Sequence, residues 1–182
     1  MMGQTAFFKI YSSNIQNVLK TTKTIKDPYL YKLMYAHIIT LMEEYLSDAF
    51  IETVKQDKSL IRKLLQCSKY KNQSVGLAEA YEKNIDHIII EKLKRHIYHN
   101  LSDIKILYRD TLAIDFKQDA KIIQAIEKRH DIIHRNGKTL NGDPIIIDSA
   151  GINELSTTMN QFLSKIDEDF YNLFYSTKNS KT

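Results

Sequence analysis

The sequence predicts an all-α fold, on three observations. Apolar residues recur at helical spacing along most of the 182-residue chain. Capping and breaking residues bracket those stretches. Only 5 Gly and 2 Pro are present, too few for an all-β sandwich with many tight turns. The length suits one domain with a substantial core, assigned to residues 1–176. The polar tail 177–182 is expected to be disordered.

The first helix is predicted over about Thr5 to Thr24, with Phe7, Phe8, Tyr11, Ile15, Val18 and Leu19 in helical register. Asp27 is its successor's N-cap and Pro28 the first helical residue. That second helix runs from about Tyr29 to Val54, and its length marks it as a core helix. A shorter amphipathic helix spans Asp57 to about Tyr70, carrying Leu60, Ile61, Leu64 and Leu65. Lys71–Ser74 form a loop, and Leu77 to Asn100 are expected as one helix. Ser102 or Asp103 caps a further helix through about Phe116. Gln118-Asp119 start the next, which ends at Arg135, where Asn136-Gly137 supply a left-handed closing residue. Turn residues crowd the long loop from Lys138 to Asp148. A last helix, capped by Asp148 or Ser149, then runs to about Tyr175.

Composition narrows the function classes. A formal charge of +4 permits a polyanionic partner without demanding one. The single cysteine, Cys67, excludes an internal disulfide and a multi-cysteine zinc site, and reads as a small core residue. No segment reaches the roughly 20 apolar residues that span a bilayer, and no signal peptide of the usual form opens the chain. The expected compartment is the cytoplasm, with no membrane partner. Glycine-rich phosphate loops, dinucleotide fingerprints and Ser-His-Asp cues are missing.

The segment Glu127-Lys128-Arg129-His130-Asp131-Ile132-Ile133-His134-Arg135-Asn136-Gly137 concentrates the chemistry. Taking about 100° per residue and Arg129 as zero, Ile122, Ile133 and Ile126 fall at roughly 20°, 40° and 60°. Ala125 and Ile132 fall on the other side, at roughly −40° and −60°. Arg129 thus sits within the apolar arc, with His130 and His134 at its edge. A guanidinium there is costly unless it is paired or faces a wet cleft. The alternative is an arginine that snorkels its head to the helix end.

Arg129, four intervening residues and His134, with the polar His130 after the arginine, resemble the Arg-x(4–6)-His signature of HEPN domains. The approach Ile122-Ile123-Gln124-Ala125-Ile126, the continuation His134-Arg135-Asn136-Gly137 and a final helix after a loop resemble small stand-alone bacterial HEPN proteins. So does the stretch from Tyr35 to Leu46. The resemblance implies a HEPN-type helical bundle of about five to six helices, with one long loop before the C-terminal helix. It also implies a homodimer in which two copies of the motif helix meet and line one cleft. Arg129 and His134 would be the catalytic pair of a metal-independent endoribonuclease needing no cofactor. The RNA-cleaving toxin or antiphage effector so implied would answer to a cognate antitoxin or defence-system protein. The alternative is a non-catalytic module of the same fold that binds a partner protein, nucleotide or RNA.

These residue types suit that chemistry. Attack by the RNA 2′-hydroxyl needs a proton acceptor, and imidazole titrates in the useful range. A planar guanidinium can clamp the negative charge that gathers on the phosphorane oxygens. His130 would orient substrate or supply the acid from the partner subunit. Asp131 would set the His134 tautomer, or simply be solvated. Glu43, which borders the apolar stripe of the second helix, is the expected acidic residue facing the motif; its alternative is a surface pair. Arg135 would touch phosphate or cap the helix, and Asn136 would be a ligand or a turn former. Arg95 and His96 belong to a basic stretch with Lys92, Lys94 and His99 that could track an RNA backbone. No third ligand at a convincing spacing joins His96 and His99, so no metal is expected there.

Overall fold

The computed structural model describes residues 3–175. Its regular elements are all helical, and the one isolated β-bridge among the described residues joins Lys138 and Pro144. Among the described residues there are eight α-helices: α1 (Ala6–Thr22), α2 (Pro28–Gln56), α3 (Lys58–Gln66), α4 (Leu77–Glu82), α5 (Ile85–Lys94), α6 (Leu101–Leu107), α7 (Ala120–His134) and α8 (Ser149–Phe174). That exceeds the five to six expected. The predicted tail 177–182 lies outside the described residues. The chain forms two compact units, one of residues 1–45 with 118–182 and the other of residues 46–117.

In the first unit, α1 starts where Thr5 accepts a hydrogen bond from the Phe8 amide. It buries Phe8, Tyr11, Ile15 and Val18. Asp27 Oδ1 accepts the Tyr29 amide at 2.8 Å, so Asp27-Pro28 begin α2 as expected. Against these pack Ile152, Leu155, Met159, Leu163, Ile166 and Phe170, which follow the three-and-four spacing of a helix facing a core. Phe8, Tyr11 and Tyr45 form an aromatic cluster with ring centroids 5.7–6.2 Å apart.

A buried carboxylate ties this unit together. Asp167, 2% exposed, accepts the Thr5 amide at 3.0 Å, the Thr5 hydroxyl, and the Tyr45 hydroxyl at 3.0 Å. Three donors satisfy a charge that would otherwise be too costly to bury.

The second unit departs from the sequence prediction in several places: the helix expected to about Tyr70 ends at Gln66, and Asn100, not Ser102 or Asp103, caps α6. The single helix expected over 77–100 is broken. α4 ends at Glu82, Lys83 is extended, and Asn84 starts α5 by accepting the Asp86 amide at 2.9 Å. A local cap thus overrides continuous helical propensity. The helix expected through Phe116 also stops early, after a π-helical turn over Tyr108–Leu112 closed by Ala113 at φ 60°. Beyond it Ile114 and Phe116 are buried while Asp115 and Lys117 are exposed. That alternation is the period of an extended chain. The π turn places the buried Tyr108 ring 5.2 Å from Phe50, and its hydroxyl donates to the Leu46 carbonyl at 2.6 Å. Cys67 is buried, as expected of a small core residue.

Candidate active site

α7 is set by Asp119, whose side chain accepts the Lys121 amide at 2.8 Å. It buries Ile122, Ala125 and Ile132 and leaves Ile123 and Ile133 exposed. The apolar arc read from the sequence is therefore split. One side packs inward, and the other stays open beside His130 and His134. Arg129 stands between them, partly buried.

The guanidinium of Arg129 lies 4.0 Å from the Glu43 carboxylate, each side chain 21% exposed. Its Nε is buried without a hydrogen-bond partner. Arg129 therefore does not snorkel clear of the protein. Glu43 faces it, while Glu44 and Asp48 are exposed, so the structure brings the candidate acid and the candidate arginine together.

His130 and His134 lie one turn apart with ring centroids 4.7 Å apart and planes at 44°. Both residues are exposed. The Nδ1 of His130 lies 3.0 Å from Arg135 Nη1. A guanidinium can only donate, so a hydrogen bond here requires the His130 nitrogen to accept. The Asp131 carboxylate is 3.6 Å from the same nitrogen, but its close partner is Arg135. Asp131 thus engages Arg135 rather than His134. Among the described residues the His134 ring has no hydrogen-bond partner, and its nitrogens are open to a substrate or a second subunit.

The motif ends on a turn built by Asn136 and Gly137, at φ 52° and 73°. The Asp131 carbonyl accepts the Arg135 and Gly137 amides at 3.0 and 3.1 Å. The Gly137 carbonyl in turn accepts the Ile145 amide at 2.8 Å, folding residues 137–145 back on themselves. Asn136 is exposed and serves the turn through its backbone.

Sequence reasoning missed Lys32. Its side chain packs so closely on Gly137 that a Cβ there would meet Lys32 Cδ at 3.2 Å. Eleven residues, about three turns, separate Lys32 from Glu43 and put both on one face of α2. That spacing was the available signal.

Arg95 and His96 belong to the second unit. Arg95 is exposed, but His96 is half-buried, with Nε2 sealed from solvent and unpartnered. Its ring stands 5.9 Å from that of Tyr98. Burial holds the imidazole below its ordinary pKa; nearby Lys69 adds to that effect and Asp103 opposes it. His96 is therefore less available to a phosphate backbone than the wet helix face expected from the sequence.

Among the described residues no group of three or more His, Cys, Asp or Glu is arranged to hold a metal ion. No described helix is long and apolar enough to cross a membrane. Compared with protein-family models, characterised proteins and solved structures, the chain matches none.

Proposed function

We propose that the protein is a metal-independent endoribonuclease of HEPN type, acting as a homodimer. The observation that carries this reading is a partly buried Arg129 guanidinium, 4.0 Å from Glu43, on the same helix as an exposed His130/His134 pair. The unpartnered His134 imidazole takes the proton from the RNA 2′-hydroxyl as that oxygen bonds to phosphorus, and His130 gives a proton to the departing 5′-oxygen. Arg129, held near Glu43, stabilises the charged phosphorane. Arg135 and Lys32 add positive charge at the end of α7 for the flanking phosphates. Arg129 and His134 are about 140° apart around the helix, so pairing α7 with its two-fold mate best brings them onto one substrate. The exposed Ile123 and Ile133 supply apolar surface for that pairing. In this reading the protein is a toxin or antiphage effector controlled by a separate partner protein.

A second reading, a binding module without catalysis, is favoured by the Glu43–Arg129 pair. It occupies the guanidinium within its own subunit. Incubation with mixed RNA in EDTA separates the two. The nuclease reading expects fragments ending in 2′,3′-cyclic phosphate and 5′-hydroxyl, with a 2′-deoxy scissile position inert. Cleavage that disappears with chelator and returns with Mg²⁺ overturns the mechanism.

A further inference from the structure

A cavity of about 290 Å³ lies on the opposite side of α7 from the two histidines, walled by α2, α7 and the start of α8 within the first unit. Ala125, Ile147 and Leu155 give it an apolar floor. Tyr35 lines it at 6% exposure, and its hydroxyl makes no hydrogen bond among the described residues. An unpaired phenol facing a cavity is a donor held ready for something that enters. Burial, and then the Glu154 carboxylate, push this phenol up to about 12, so it keeps its proton at neutral pH.

The charges around the cavity are balanced. Lys121 and Lys128 oppose Asp148 and Glu154. Lys128 Nζ lies over the Tyr35 ring, 5.7 Å from its centroid, rather than paired with an acid among the described residues. Lys121 reaches Glu154 only at 3.8 Å, both side chains being largely exposed, so that pair is loose and can open. Asp148 is already committed, accepting the Gly151 amide at 2.9 Å as the cap of α8. A phosphate dianion finds no net positive charge here. A purely apolar ligand would strand the phenol and desolvate the lysines. The volume, close to the lower bound of about 300 Å³ for small-molecule sites, suits a ligand of few heavy atoms.

We propose that this cavity binds a small zwitterion of the apolar amino-acid class. Its carboxylate is taken by the Lys128 ammonium and the Tyr35 hydroxyl, and its ammonium by Glu154. Its side chain rests on Ala125, Ile147 and Leu155. The inference is independent of any nuclease activity.

Calorimetric titration of the full chain with leucine, isoleucine, valine, methionine and phenylalanine tests it. Two truncated probes accompany leucine: 4-methylpentanoate, which lacks the amine, and 3-methylbutylamine, which lacks the carboxylate. At least one amino acid should bind saturably, with the matching truncated probes about tenfold weaker or worse. Tyr35→Phe and Glu154→Gln should each weaken binding about tenfold with unchanged thermal melting. Glu154 is exposed, so its variant keeps the test valid should Tyr35→Phe disturb the core. The proposal is overturned if no amino acid of the set binds up to about 10 mM. It is equally overturned if the carboxylate-only probe or adenosine monophosphate binds as tightly, or if Glu154→Gln binds like the unaltered protein.

Discussion

The Arg129 guanidinium lies 4.0 Å from the Glu43 carboxylate, linking α7 to α2 at the point where the apolar arc of α7 is interrupted. Charge attraction at that distance ties the arginine to α2. The buried, unpartnered Nε keeps it from being a fully satisfied structural residue. The pair thus restrains the arginine while leaving its Nε hydrogen-bonding capacity unspent.

A double-mutant cycle measures that link. Glu43→Gln and Arg129→Met, singly and together, should give a coupling of about 0.5–1 kcal/mol in urea unfolding, since both groups are about a fifth exposed. Strict additivity would mean that the two charges do not act on one another.

Asp167→Ala should be the most destabilising of the substitutions considered. It leaves the Thr5 amide and hydroxyl and the Tyr45 hydroxyl without their buried acceptor. At about 1–3 kcal/mol for each orphaned group, a loss above about 3 kcal/mol is expected. Denaturant unfolding monitored by circular dichroism reads it directly. A loss under about 1 kcal/mol would show that water replaces the carboxylate at little cost.

The turn after the motif gives a contrast between neighbours. Gly137→Ala, at φ 73° and against Lys32, should cost about 1 kcal/mol or more, seen as a lower melting temperature. Asn136→Gly, at φ 52°, should be nearly neutral, because glycine accepts that conformation freely. Equal effects at the two positions would argue against a turn held in this geometry.

His96 should make stability depend on pH. Burial lowers its pKa in the folded state, so as pH falls through about 6.5 the unfolded chain takes up the proton first. The stabilisation from the neutral ring is complete above that pH and is lost progressively below it, toward the folded-state value. His96→Gln should flatten the stability curve between about pH 7 and pH 5. An unchanged slope would show that this ring protonates equally well in both states.

Much of the fold was legible because its signals are local. Asp27-Pro28, Asp119 and Asp148 each begin a helix where capping chemistry predicts. The Asn84 cap was equally local, but the run of apolar residues on both sides of it read as one continuous helix. The π turn and left-handed Ala113 were not legible. They arise where Tyr108 must meet both Phe50 and the Leu46 carbonyl, a tertiary requirement that no sequence period encodes. Around the motif, helical phase alone placed Glu43 on the stripe edge and Arg129 in the arc. Asp131 turning to Arg135 depended on how the helix ends. Lys32 depended on the packing of α2 against Gly137.

The most direct test compares RNA cleavage by the unaltered protein, Arg129→Ala and His134→Ala in EDTA, with folding checked by circular dichroism. Loss of the general base or of the charge-stabilising guanidinium should each lower the rate by about 10²-fold or more while the helical signal stays intact. Cleavage by both variants at the unaltered rate would contradict the assignment of Arg129 and His134 as the reacting pair.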